Sequence, residues 1–302
     1  MSRPASNDAL IRAMPAVFVL IWSTGFIVAK YGLPYAPPLS FLAIRYVLSL
    51  LCFMAWIAIA RVAWPGSRIQ WVHLGVTGIL IHAGYLSGVW SAIKGGMGSG
   101  LAALVVGLQP VLTAVWVSQM GESSQGTSRV SARQWLGLVL GLAGLLLVVS
   151  RKFGAGNEAT LYTLGFAVFA LLSITAGTLY QKRFVLPADV RSANAIQLGA
   201  ALLVTLPFAW LETEPVQWTG GFMGALAWSV LGLTLGGSSL LYMLIQRGAA
   251  TAVTSLLYLV PPTTALMAWL LFGESITVVT VAGTALTALG VWLVVRNEAR
   301  AA

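Results

Sequence analysis

The chain repeats itself, and this internal duplication constrains its fold more than any other feature. Residues 101–122 read LAALVVGLQPVLTAVWVSQMGE, and residues 252–274 read AVTSLLYLVPPTTALMAWLLFGE. Pro110 in the first stretch corresponds to Pro261 in the second, and both stretches continue through Thr-Ala to Gly-Glu. The offset of 151 or 152 residues also relates earlier landmarks, so the sequence predicts two copies of one structural unit.

Each copy supplies five apolar runs. Hydrophobic residues make up 58% of the chain, charged residues only 8%, and the mean hydropathy is +0.88, which leaves too few polar side chains to cover a water-soluble globule. About 20 apolar residues cross a bilayer as a helix. The predicted spans are residues 15–32, 39–60, 72–93, 99–119, 134–150, 160–181, 192–211, 221–246, 251–272 and 276–295.

An odd number of spans in each copy makes the two copies enter the membrane from opposite faces. We therefore predict an all-α integral membrane protein with ten transmembrane helices, arranged as two inverted five-helix repeats around a central cavity. The first repeat is expected to cover residues 1–151 and the second residues 152–302, within one membrane domain.

The basic residues predict the orientation in the membrane. If the N-terminus is cytoplasmic, twelve of the 17 lysines and arginines fall in inner segments and four in outer ones, so both termini are expected in the cytoplasm. The basic residues are scattered singly between apolar spans, and we therefore attribute the net charge of +9 to topology and expect no nucleic-acid partner.

The polar inventory disfavours several chemistries. All eight carboxylates fall in loops or at span ends, so no mid-membrane carboxylate is available to carry a proton or sodium ion. We find no serine-hydrolase, zinc-protease or phosphate-loop motif and only one cysteine, Cys52, so we expect neither catalysis nor a metal site. Facilitated movement or exchange is favoured, and coupling through His82 is the alternative.

Three prolines lie inside predicted spans at corresponding places of the two copies. Pro110, Pro261 and Pro262 each remove an amide donor and disfavour the preceding helical turn. Matching interruptions in two inverted halves are typical of a central site or gate. A simple kink that shapes packing explains them equally well.

Polar and aromatic residues recur at helical spacing on spans that the repeat relates. Such faces avoid lipid, which favours a cavity with aromatic rings for an apolar side chain and polar groups for its head. The candidate aromatic residues are Trp22, Tyr85, Trp90, Tyr242 and Tyr258. The candidate polar residues are His82, Ser238 and Arg45.

Two of these residues allow more than one interpretation. His82, near the middle of its span, is either a core histidine with its hydrogen bonds satisfied, a donor to substrate, or a proton carrier. Arg45 either extends to the outer headgroups or faces the cavity, where together with Lys30 it would attract a carboxylate.

The two proline-Thr-Ala-Gly-Glu blocks, each followed by a glycine-patterned last helix, resemble the drug/metabolite transporter superfamily. The stretches FVLIWSTGFIVAK at residues 18–30 and LMAWLLFGES at residues 266–275 are similar to EamA-type bacterial exporters of aromatic and other neutral amino acids. The resemblance implies an inner-membrane carrier with alternating access and no nucleotide cofactor. Spans one to four and six to nine would surround the pocket, with spans five and ten bracing it.

Our leading hypothesis is a monomeric facilitator that exports neutral, preferably aromatic, amino acids through the lipid bilayer. The alternative is an exporter of drugs or other small metabolites, with protons coupled through His82. Cofactors and metal ions are not expected in either case.

Overall fold

The computed structural model describes residues 5–119, 132–153, 158–237, 240 and 259–301. The first half contains α1 (Ala5–Gly32), α2 (Pro38–Ala60), α3 (Arg68–Gly78), the π-helical segment π1 (Ile79–Gly84), α4 (Tyr85–Lys94), α5 (Ser99–Val106), α6 (Gln109–Gln119) and α7 (Ala132–Lys152). The second half contains α8 (Leu161–Phe184), α9 (Val190–Trp210), α10 (Gly220–Ala227), the π-helical segment π2 (Trp228–Gly237), α11 (Val260–Phe272) and α12 (Val278–Ala301).

The prediction of an all-helical membrane protein is confirmed. Over the described residues, seven helical segments are long and apolar enough to cross a membrane, and three shorter apolar helices occupy the positions of predicted spans one, nine and ten. Several spans are composite, because α3, π1 and α4 follow one another without interruption, as do α10 and π2. The count of ten transmembrane helices stays a prediction.

The proline positions interrupt or begin helices, as their chemistry requires. The fourth span breaks at Gly107 and Leu108, so that Pro110 lies in the first turn of α6. Pro261 and Pro262 lie in the first turn of α11, where a missing amide donor needs no acceptor. All three prolines thus lie in the first turn of a described helix, and their role as a site, a gate or a packing kink stays a prediction.

The break in the fourth span lies against the first turn of α11. The ring of Pro261 packs so closely on Gly107 that a Cβ at that glycine would stand 2.8 Å from the ring. Because Gly107 belongs to the first half of the chain and Pro261 to the second, this contact joins the two halves.

Glycines bring α7 and α12 into close contact. A Cβ at Gly144 would stand 2.4 Å from the backbone oxygen of Gly283, and one at Gly290 would stand 2.5 Å from that of Gly137. Small residues let two helices approach to backbone contact in the membrane. These two helices therefore form a tightly packed pair.

Candidate substrate site

The two π-helical segments occupy equivalent places in the two repeats. π1 lies in the middle of the third span and contains His82, and π2 lies in the eighth span and contains Thr234. These two residues are 152 positions apart, which is the repeat offset. Widened helical turns of this kind are frequent at functional sites.

Glycines allow neighbouring helices to approach π1 from two sides. Gly78, just before π1, lies against the backbone of Gln197 in α9, and Gly84, at its end, lies against the side chain of Ser173 in α8. A methyl group at either position would stand well inside van der Waals distance. The sequence of the third span thus positions His82 beside α9.

Arg45 of α2 crosses to the second repeat. Its Nε and Nη2 atoms donate to the Thr234 hydroxyl at 3.2 and 3.0 Å, and that hydroxyl donates to the Ser229 carbonyl at 2.9 Å. Gln197 is the repeat equivalent of Arg45, and its side chain lies close to His82, the equivalent of Thr234. The two pairs are therefore related by the repeat offset.

Two tyrosines complete this group. The Tyr46 hydroxyl donates to the backbone carbonyl of His82 at 2.7 Å, and Tyr85, the residue after π1, is buried. Both rings lie close enough to Arg45 to interact with its charge. We call this group, which joins the two repeats at their contact, the central polar cluster; it consists of Arg45, Tyr46, His82, Tyr85, Gln197 and Thr234.

Arg45 is buried and is directed towards the second repeat. The residue is only 8% exposed, and its guanidinium donates to Thr234 of π2. In the part of the chain that the structure describes, it has no carboxylate partner. Arg45, His82 and Tyr85 are thus the predicted site residues that the fold brings together.

The remaining predicted residues lie elsewhere or outside the described residues. Trp22 is half-buried and packs on Phe18, with ring centroids 5.3 Å apart. Trp90 is 1% exposed and packs on Phe41 at 4.4 Å, which places it in the hydrophobic core. Three further candidates lie outside the described residues, namely Ser238, Tyr242 and Tyr258.

Lys30 does not join Arg45. Its ammonium forms an ion pair with Glu274 at 2.7 Å, and the same carboxylate accepts the backbone N–H of Ser99, the first residue of α5, at 2.8 Å. The expectation that Lys30 and Arg45 together attract a substrate carboxylate is therefore wrong. Lys94 and Lys152 are also paired, with Glu214 and Glu158 respectively.

Sequence reasoning missed three members of the central polar cluster as site residues, Tyr46, Gln197 and Thr234. The repeat offset carried a usable signal for two of them. Gln197 aligns with Arg45 and Thr234 with His82, so symmetry alone could have nominated both once one partner of each pair was a candidate. Tyr46 carries no such signal.

A cavity of about 20 Å³ lies apart from this cluster, between α5, α7, α11 and α12, with Lys152 and Glu274 in its wall. It belongs to the peripheral part of the bundle and is smaller than an amino acid needs. The central substrate cavity stays a prediction.

Comparison with known proteins now defines the family. The model of the EamA-like transporter family matches residues 13–150 and again residues 161–296. The chain belongs to the EamA-like transporter family. The double match supports the two-repeat architecture of this transporter, and the boundary between residues 151 and 152 stays a prediction.

Relatives of this EamA-like transporter cover nearly its whole length. It is 26% identical to the uncharacterized transporter YvbV of Bacillus subtilis (strain 168), over 96% of this chain and 92% of that protein. It is also 26% identical to a probable amino-acid metabolite efflux pump of Salmonella typhimurium, over 91% of each chain. The uncharacterized inner membrane transporter YedA of Escherichia coli (strain K12) is 26% identical over 88% of this chain and 84% of that protein.

A solved crystal structure shares the fold. It superposes with a TM-score of 0.63 at 18% sequence identity and covers 95% of this chain and 97% of that one. At this identity the likeness supports the arrangement of helices alone.

Proposed function

We propose that this EamA-like transporter exports neutral amino acids, preferably aromatic ones, across the bacterial inner membrane by alternating access, as a facilitator. The central polar cluster carries the proposal. It places the imidazole of His82 and the ring of Tyr85 near the charge of Arg45, at the contact between the repeats. An aromatic amino acid has the matching groups: a carboxylate for the cation and an apolar ring for aromatic packing.

The relatives support the same substrate class. The Salmonella typhimurium relative is named a probable amino-acid metabolite efflux pump, as is a relative in Escherichia coli (strain K12) that is 28% identical over 63% of this chain. The inner membrane location follows the name of YedA. Ser238, Tyr242 and Tyr258, which belong to predicted spans eight and nine, remain in the proposed site.

The broken helices supply the moving parts. Gly107 and Pro261 meet where the helix of each half is interrupted or begins, and such points absorb changes in backbone angles at low cost. We propose that Pro110, Pro261 and Pro262 mark the hinges about which the four-helix core of each repeat rocks. Trp90, packed on Phe41, moves as part of its helix.

Facilitated transport follows from where the acids lie. Each carboxylate that the structure describes lies at a helix end or in a loop, and three of them hold lysines there: Glu158, Glu214 and Glu274. These ion pairs neutralise three lysines on the side of the membrane that we propose to be outer. Fewer unpaired basic residues on that side agree with cytoplasmic termini. We propose that the protein acts as a monomer, and that His82 binds substrate and does not carry protons.

The deciding experiment is uptake of labelled tryptophan, threonine and methionine into liposomes that contain the purified protein, with and without an imposed pH gradient. We expect uptake of all three, mutual competition, and no effect of the gradient. A requirement for the gradient would make His82 a proton carrier. If none of the three enters, the exporter of drugs or other metabolites takes first place.

The aromatic part of the site has its own test. Tyr85→Ala and Tyr242→Ala should reduce tryptophan uptake more than threonine uptake, because only tryptophan loses a stacking partner, worth about 0.5–1.5 kcal/mol. The matched control is Tyr162→Ala, since Tyr162 is exposed on the outside of the bundle. Equal losses of both substrates in the Tyr85 variant would refute the stacking role.

A further inference from the structure

Arg45 holds a buried positive charge that the described protein does not neutralise. More than nine-tenths of the residue is buried, and its described hydrogen-bond acceptor is one neutral hydroxyl, that of Thr234. A guanidinium has five N–H donors, and this contact uses two of them. A buried cation without an anion is costly, so its retention in a membrane span indicates a functional partner.

The five carboxylates whose side chains the structure describes are all engaged elsewhere. Glu158, Glu214 and Glu274 hold lysines, and Asp189 holds Arg191. Glu212 accepts the backbone N–H groups of residues 39 and 40 at the start of α2. The missing anion is therefore expected to come from outside the protein.

The repeat shows that the central polar cluster has one position for an anion and not two. Gln197 stands where symmetry would put a second arginine, and its neutral amide is matched to His82. The polar groups of the cluster are otherwise hydroxyls, an amide and an imidazole. One fixed positive charge therefore faces the interface between the repeats, and one carboxylate would neutralise it.

We propose that Arg45 is the carboxylate-binding and specificity-determining residue of this carrier, and that Thr234 is its partner when no substrate is bound. The inference rests on the proposed function and narrows it: the substrate must bear a carboxylate, whereas its amino group is less important. A carboxylate forms two parallel hydrogen bonds with a guanidinium, which a single hydroxyl does not match. When substrate enters, the guanidinium of Arg45 therefore leaves the Thr234 hydroxyl and binds the substrate carboxylate.

The same charge links occupancy to the transport cycle. With substrate bound, the guanidinium is neutralised while the two repeats rock past each other. Without substrate, the carrier must make the same movement with an unneutralised charge at its centre, which is slower because the charge has poorer partners. Exchange of one carboxylate substrate for another is thus faster than net transport.

The test compares four indole compounds as competitors of labelled tryptophan uptake into liposomes: tryptophan, indole-3-propionate, tryptophanamide and tryptamine. The first two carry a carboxylate and should compete, while the amide and the amine should be weaker by roughly tenfold or more, since charge-assisted hydrogen bonds are about twice as strong as neutral ones. Liposomes preloaded with unlabelled tryptophan should take up label several-fold faster than empty ones.

Three variants assign the effect. Arg45→Gln should lose the preference for carboxylates, whereas Thr234→Val should keep it, because Thr234 does not contact the bound carboxylate. Arg68→Gln is the matched control, since Arg68 is an exposed arginine at the start of α3. Equal competition by tryptophan and tryptophanamide in the unaltered protein, or an unchanged preference in Arg45→Gln, would overturn the proposal.

A binding measurement separates this inference from the proposed function. Indole-3-propionate should raise the melting temperature of the purified protein, tryptamine should not, and the difference should vanish in Arg45→Gln. If tryptophan is not transported but this pattern is seen, the amino-acid function fails and the carboxylate site stands. If tryptophan is transported and tryptamine stabilises the protein equally, the function stands and the carboxylate site fails. Failure of Arg45→Gln to fold is recognised by gel filtration, and Arg45→Lys, which keeps the charge but not the two-pronged geometry, then serves in its place.

Discussion

Glu274 offers the sharpest test of how polar groups hold the helix ends together. Glu274 follows α11, and its side chain is only 8% exposed. Its carboxylate forms an ion pair with the ammonium of Lys30 in α1 at 2.7 Å and accepts a hydrogen bond from the backbone N–H of Ser99, the first residue of α5, at 2.8 Å. Gly273, in the left-handed conformation with φ of 66°, ends α11 and places the carboxylate there.

The expected magnitudes follow from these contacts. Glu274→Gln keeps an acceptor for the Ser99 N–H but turns two charge-assisted hydrogen bonds into neutral ones, each weaker by about 1 kcal/mol. Lys30 is one-third exposed, so solvent reduces the contribution of its ion pair to the free energy of unfolding. We expect a loss of about 1–2 kcal/mol. Glu274→Ala also leaves the N–H without its acceptor, which raises the loss to about 3 kcal/mol.

The assay is thermal unfolding of the purified protein in detergent, followed by the fluorescence of its 12 tryptophans. At about 2 °C per kcal/mol for a chain of this size, the midpoint should fall by about 2–4 °C in Glu274→Gln and about 6 °C in Glu274→Ala. Glu214→Gln is the matched control, because the Glu214 side chain is 58% exposed and its pair with Lys94 should contribute little. Equal shifts in Glu214→Gln and Glu274→Gln would refute the reasoning.

Three further changes test the packing, the caps and the hinge. Gly290→Leu should destabilise the protein by about 3 kcal/mol or more, because a Cβ at this position would stand 2.5 Å from a backbone oxygen of α7. The control Gly165→Leu should leave the melting temperature nearly unchanged, because a Cβ at Gly165 has open space around it. Hydrogen bonds from Arg191 lower the pKa of Asp189, the N-cap of α9, so the ionised form of Asp189 stabilises the fold. Asp189→Ala should therefore lower the free energy of unfolding by about 1 kcal/mol at pH 7. The melting curves of the unaltered protein and the variant should converge as the pH falls below about 4. Pro110→Ala should slow tryptophan uptake several-fold with little change in melting temperature; unchanged uptake would contradict the hinge.

Much of the architecture could be predicted because it depends on local signals. Apolar runs identify spans, the fixed offset identifies repeats, and a proline such as Pro110 disfavours the helical turn that precedes it. The π-helical segments could not be predicted in this way, because a single widened turn leaves the apolar character of a span unchanged. Both were found only in the structure, at Ile79–Gly84 and Trp228–Gly237.

The candidate site also contains residues that the sequence could select and residues whose position only packing decides. The sequence selected Arg45, His82 and Tyr85 because charged and polar groups in a span are costly and therefore informative. It also selected Trp90, which has the same helical spacing but packs into the core on Phe41. Spacing places a residue on a face of its helix, whereas the neighbouring helix decides whether that face lines a cavity or the core.

By itself the sequence determined that this protein is a helical membrane transporter with two related halves, because composition and period act within single spans and a duplication preserves them. The tertiary structure alone decided which polar groups meet. The contact between Arg45 and Thr234 joins residues 189 positions apart, and it depends on how α2 and π2 are rotated and set against each other. An arginine within a span either extends to the lipid headgroups or finds polar partners inside the bundle, and packing between helices makes the choice.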